Sequence, residues 1–213
     1  MKNDDKMKYT TIITTIVCLI PVIIGAILYP KLPDTIVTHW DASGNPNGWS
    51  PKMVGAIVFP GSLVLVNIIF PMLLKLDPKY NNMNEKIKHL LHWIIPVVSI
   101  FCSSSTLAVA LGKDVKINLI GSLFMGMILV VIGNYLPKVT QSYTVGIRIP
   151  WTLNSEENWN KTHRMAGFLW VICGIIMMIT GFLGIGGASI IVIVVITIFV
   201  PILYSYLLSK RGI

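Results

Sequence analysis

Residues 165–209, MAGFLWVICGIIMMITGFLGIGGASIIVIVVITIFVPILYSYLLS, form a run of 45 residues without Asp, Glu, Lys or Arg. A helix needs about 20 apolar residues to cross a hydrocarbon core of roughly 30 Å, so this run is long enough for two spans. Gly184-Ile185-Gly186-Gly187 near its middle supplies the turn between them. Working back toward the N-terminus, four further uncharged runs each hold one span. They are the 22 residues between Lys8 and Lys31, the 22 between Lys52 and Lys75, and the stretches 89–112 and 117–137. The expectation is an all-α membrane protein of six helices, at about 9–29, 53–74, 90–111, 117–136, 164–183 and 188–208, in a single transmembrane domain over 1–213. Lys2, Lys6 and Lys8 precede the first run as in a secretion signal. Its apolar part is too long for that, and no small-x-small cleavage site follows before Tyr29-Pro30, so it reads as a retained span.

The whole chain agrees. Of its 213 residues 54% are hydrophobic and 12% charged, with a mean hydropathy of +0.74. Soluble domains carry about 25% charged residues, so disorder and an ordinary cytosolic enzyme are excluded. The net charge of +8 is distributed unevenly. With six spans, one face carries the termini and the loops at 75–88 and 138–164, and it holds 13 of the 17 basic residues. The other face has Lys31, Lys52, Lys113 and Lys116. Lys and Arg accumulate on the cytoplasmic side, so both termini are expected inside and the loop at 32–52 outside. The basic excess matches anionic lipid headgroups, whereas nucleic-acid binding would need a soluble basic face that the chain lacks.

The spans themselves are clean. All nine acidic residues lie in loops or tails, which weakens an ion-coupled pump or proton relay. Cys18, Cys102 and Cys173 fall inside spans, where they behave as small apolar residues, and no spacing suggests a metal or a disulfide framework. Among the deep polar groups, hydroxyls such as Ser103–Thr106, Ser122 and Thr180 can bond a carbonyl of their own helix, whereas Asn67 calls for an interhelical hydrogen bond. Prolines 21, 60, 71, 96 and 201 introduce kinks. Ser122 with Gly126, and Gly174 with Gly181, permit close helix approach.

Two loops hold most of the remaining information. In the first, Ile36-Val37-Thr38-His39-Trp40 alternates like a short strand and 41–48 is turn chemistry, so a small hairpin-like cap is expected. Trp40 and Trp49 suit the headgroup level. Asp41, Asn45 and Asn47 superficially suggest calcium, but the EF-hand spacing and closing Glu are absent, so no metal is assigned. In the second loop, Asn154 or Ser155 followed by Glu156 and Glu157 is a helix start that runs on into the fifth span. Trp159, His163, Gly167 and Trp170 then share one helix face. Arg148 and Arg164 could clamp phosphate or carboxylate, or equally pair with Glu156 and Glu157 or with lipid phosphates.

These residues resemble a known family, the SdpI-type bacteriocin-immunity and signal-transduction membrane proteins. Leu32-Pro33-Asp34, His39-Trp40, Gly44, Trp49 and Lys52 look like its outer loop motif, within 32–52, and His39, Trp40, Asp41, Gly44, Trp49 and Lys52 are the candidate contacts there. Asn134, Pro137-Lys138, Gly146-Ile147-Arg148, Pro150-Trp151-Thr152, Trp159, His163-Arg164 and Gly167 look like its second, inner motif, within 134–167. The resemblance implies a multi-pass protein of the bacterial plasma membrane that protects its cell from a secreted peptide toxin. It further implies signalling, by holding a small cytoplasmic autorepressor at the membrane. Neither an enzyme nor a cofactor is implied: His163 with Thr162, Thr152 or Ser155 is the nearest approach to a triad, and no motif ties them together. The rival reading is a small-molecule or lipid transporter with Arg148 and His163 at a gate.

Overall fold

The computed structural model describes the backbone of residues 2–213 and the side chains of 6–187 and 189–213; the side chains of Lys2, Asp4 and Asp5 lie outside these. The chain is mostly helical. In order it forms α1 (Lys2–Leu28), β1 (Thr35–Trp40), β2 (Pro46–Pro51), α2 (Phe59–Lys75), α3 (Glu85–Ala110), α4 (Ile117–Tyr135), the short α5 (Pro150–Asn154), α6 (Glu156–Phe182) and α7 (Gly186–Lys210). Six of the helices are long and apolar enough to cross a membrane. Of those that begin before their apolar runs, α3 and α6 have a polar residue closing the first turn. Asn84 Oδ1 accepts the Lys86 amide at the start of α3, and Ser155 Oγ accepts the Asn158 amide at the start of α6. Large apolar side chains such as Ile13, Ile16 and Ile23 on α1, and Ile191 and Phe199 on α7, stand exposed. Outward faces of this kind match lipid rather than water.

The chain divides into two compact units. The first comprises residues 1–41, 45–75 and 88–115, and so holds α1, both strands, α2 and most of α3. A turn of π-helix, Val54–Val58, leads into α2 where Pro60 can give no amide to the Ala56 carbonyl. That carbonyl lies against Gly25 of α1, so close that a Cβ on Gly25 would sit 2.1 Å from its oxygen. Asn67 makes the interhelical bonds its depth demands: its Nδ2 donates to Thr14 Oγ1 (3.3 Å) and Thr15 Oγ1 (3.0 Å) of α1. Both threonines in turn donate to the Thr11 carbonyl, so the polar group is closed within the helix pair.

The second unit comprises 42–44, 76–87 and 116–213. Its axis is the antiparallel pair α4 and α6, which meet through small residues at three levels. Gly133 faces Gly167, Gly126 faces Gly174 and Ser122 faces Gly181, and a Cβ added to any of these glycines would come within 2.9 Å of the opposite helix. On α6 these residues recur every seven positions, so one stripe of the helix lies backbone to backbone against α4. Cys173, Met177 and Ile193 pack α7 onto the same helix.

Candidate functional site

The first candidate is the hairpin. β1 and β2 pair antiparallel, with Thr35 opposite Pro51, Val37 opposite Trp49 and Trp40 opposite Pro46, and with irregularities on either side of His39. Alternation turns Ile36 inward, where it is 2% exposed against Leu32, Ala56 and Leu107. His39 and Trp49 lie on the surface, Trp49 with 59% of its area exposed, and Trp40 is half-buried. His39 Nδ1 bonds Asn47 Oδ1 at 2.5 Å, and Thr38 Oγ1 bonds Ser50 Oγ at 3.0 Å. Lys52 ties the hairpin's base together. It pairs with Asp34 (3.0 Å), donates to the Leu32 carbonyl (3.3 Å) and stands over the Tyr29 ring. The residues that hinted at calcium are committed to the turn. Asp41 accepts from both the amide and the Nδ2 of Asn45, and Asn47 is bonded to His39. Gly44 takes φ +85° in that turn. Among the described residues no group of three His, Cys, Asp or Glu could hold a metal.

The second candidate is the inner motif, and it is built as a scaffold. Trp159 is completely buried and its indole N–H donates to the Val139 carbonyl (2.8 Å). One turn on, the His163 ring stacks on it at 4.0 Å. His163 Nε2 accepts the Ile147 amide (2.9 Å), so Nδ1 carries the proton and donates to the Trp159 carbonyl (2.9 Å). Both ring nitrogens are therefore spent on the backbone. Gly146 crosses directly above this stack at φ +114°, and a Cβ there would meet His163 Nε2 at 2.6 Å and Trp159 at 2.8 Å. Pro150 opens α5 and the buried Thr152 closes its first turn, donating to the Ile147 carbonyl and accepting the Ile149 amide. Trp151 packs edge-on against Tyr206 at 5.2 Å. Of the motif's charged and polar groups, Asn134, Lys138, Arg148 and Arg164 are exposed, as is Pro137. Arg148 Nη1 donates to the Tyr143 carbonyl (2.6 Å), Lys138 stands over the Tyr135 ring, and Glu157 pairs with Lys161.

Sequence reasoning missed the group that fixes this loop. Asp77 is only 5% exposed, and its Oδ2 accepts four bonds: from the hydroxyls of Ser142 and Thr144 (2.7 Å each) and the amides of Tyr143 and Thr144 (2.9 Å each). Its Oδ1 takes the Lys79 amide (2.8 Å). Burial pushes the carboxyl upward, but these donors outweigh it and hold the group down from 3.8 to about 2. Gln141 works alongside, donating to the Thr152 and Leu153 carbonyls (2.9 Å each) and accepting from Lys79 Nζ. Asn158 and Thr162, also absent from the motif as first read, tie α6 to Ser205 and the Ile213 carbonyl.

Comparison with known proteins places both sites in one lineage. The chain is 31% identical over 204 residues to Immunity protein SdpI of Bacillus subtilis (strain 168), an alignment covering 95% of each chain. The chain belongs to the SdpI/YfhL protein family. The family's own model matches residues 138–205, which contain the inner-motif loop with α5, α6 and most of α7. A second model, a domain of unknown function (DUF1648), matches residues 16–64 and contains the hairpin. No solved structure matches. As a family member with six apolar helices, the chain is a multi-pass protein of the cell membrane.

Proposed function

We propose that this chain is a membrane immunity protein that protects its cell from a secreted peptide toxin. The observation that carries this reading is end-to-end similarity to a protein named for immunity, 31% identical over 95% of both chains. The 13-to-4 division of basic residues supports termini in the cytoplasm and the hairpin outside. In that orientation the toxin contacts are His39, Trp40, Asp41, Gly44, Trp49 and Lys52, with Trp49 as an exposed aromatic anchor of the kind binding hot spots use.

The inner motif then serves a different purpose. Trp159, His163, Gly146 and Thr152 hold the loop, while Lys138, Arg148 and Arg164 present positive charge to the cytoplasm. A small transcriptional repressor is the partner this face would take, with toxin binding shifting the protein between two conformations of unequal toxin affinity. Nothing in this role requires an enzyme or a cofactor.

The test is survival. Expressing the chain in a toxin-sensitive bacterium should raise survival against a related secreted peptide, and Trp49→Ala at matched membrane abundance should abolish the gain. Equal killing with and without the chain, across related peptide toxins, would sink the reading. Toxin-dependent recruitment of a repressor to membranes, lost in Arg148→Ala, tests the signalling part separately.

A further inference from the structure

Within the first unit, α1, α2 and α3 leave a cleft of about 360 Å³ at the end where α1 begins and α2 finishes. Among the described residues, the titratable groups lining it are all basic: Lys8 of α1, Lys75 in the last turn of α2, and His92 of α3. Among the described residues no carboxylate lines it. The rest is apolar, including Ile12, Ile68 and Met72, which are exposed on outward helix faces. His92 is 3% exposed and forms the cleft's buried polar wall, with its Nδ1 donating to the Lys88 carbonyl at 2.7 Å. One ring nitrogen is thus fixed by the backbone, and the ring's orientation with it.

This pairing of chemistry is specific. Two lysines on separate helices, at the end of an apolar cleft beside exposed aliphatic faces, match an anion that carries hydrocarbon of its own. A soluble anion would need only the charged end, and a neutral lipid only the apolar part. Lysine near a membrane surface is worth about 1 kcal/mol per residue toward anionic lipid, and basic clefts between spanning helices take phosphate headgroups.

We propose that this cleft is a binding site for one anionic phospholipid, its phosphate held by Lys8 and Lys75 and its acyl chain laid along Ile12, Ile68 and Met72. The assignment is independent of the immunity reading, because it uses none of the hairpin or inner-motif residues. It adds a lipid-dependent element to the first unit, joining three helices at one end.

Native mass spectrometry of the full chain in neutral detergent tests it, with phosphatidylglycerol, phosphatidylcholine and glycerol 3-phosphate as the three probes. Phosphatidylglycerol should be retained as a single tight adduct, and the double variant Lys8→Gln/Lys75→Gln should weaken it on the order of twentyfold. Both lysines are exposed, so the variant is expected to fold, and Lys8→Arg/Lys75→Arg should restore the adduct. Lys113→Gln/Lys116→Gln removes the same charge elsewhere and should leave it unchanged. Equal retention of phosphatidylcholine, or an adduct indifferent to the Lys8 and Lys75 changes, would overturn the site. Glycerol 3-phosphate binding as tightly as the lipid would overturn the lipid assignment by showing that the apolar wall adds nothing.

Discussion

The hairpin and the inner-motif loop are both short polar segments in a chain of apolar helices, yet they are held in opposite ways. The hairpin has one fully buried strand residue, Ile36, and a base tied by Lys52; Val37, Thr38 and Trp40 are half-buried, and His39, Asn47 and Trp49 lie on the surface. The inner loop has almost nothing free. Its backbone is gripped by Asp77, Gln141, Thr152, Trp159 and His163 through bonds of 2.7–3.1 Å. A segment held by few contacts can present side chains to a partner at little cost in stability. A segment held by many specifies a shape, and the residues that hold it cannot be changed without loosening that shape. The two loops therefore differ in what holds them: the hairpin leaves Trp49 and His39 on the surface, and the inner loop is built around buried Trp159, His163 and Thr152.

The largest effect should come from breaking construction at its centre. Trp159→Ala removes a completely buried ring together with its bond to Val139 and its stack on His163, at a cost of roughly 3–5 kcal/mol. Thermal unfolding in detergent should show that loss, and limited proteolysis should open the 139–149 loop. A melt within a degree of the parent would mean the loop is not built as described. Gly167→Ala comes next. Its Cβ would lie 2.6 Å from the Gly133 carbonyl and 2.7 Å from the Pro137 ring, so α4 and α6 must part, for about 1–3 kcal/mol or more. Because no side chain is lost, a destabilised but folded variant would isolate the helix contact from the loop.

Asp77 gives the comparison a pH axis. Its carboxyl titrates near 2 in the folded chain against 3.8 ordinarily, so the ionised form is the one the fold favours. The associated stability, on the order of 2 kcal/mol, is fully present above pH 4 and is lost as pH falls toward 2. Pepsin cleavage in the 139–149 loop should therefore rise steeply between pH 4 and pH 2. In Asp77→Asn the loop should already be open at pH 4 and the steep rise should vanish. In the hairpin Asp34 is almost fully exposed, so its pairing with Lys52 should leave cleavage there closer to the protease's own pH profile.

How much of this was legible beforehand follows from what single-chain patterns encode. Six spans could be read because the length of an uncharged run is itself the physical requirement for crossing a bilayer. The hairpin could be read from β-branched alternation and turn residues, and Asn67 from the cost of an unpaired amide at depth. Trp159 and His163 fell on one face because helical spacing puts them there. Asp77 could not be read, since the four bonds to its Oδ2 come from residues 65 to 67 positions away, beyond any local pattern. Nor could the match of Gly133 to Gly167, because the register between two helices is set by both together. Sequence also left the motif residues undivided, and only burial separates Trp159, which holds, from Arg148 and Arg164, which are presented.

The smallest structural effect is the most informative about function. Trp49 is 59% exposed and pairs with Val37 only through the strand ladder, so Trp49→Ala should change stability by no more than about 0.5 kcal/mol. If the hairpin is a contact surface, that near-silent change should remove toxin protection, while Trp49→Phe, which keeps an aromatic anchor, should retain much of it. A variant that melts like the parent and fails to protect separates binding from folding, which no substitution at the buried Trp159, His163 or Thr152 can do. The opposite result, a large loss of stability with protection falling only in proportion, would place Trp49 among the building residues. The distinction between the two loops would then reduce to a difference in exposure.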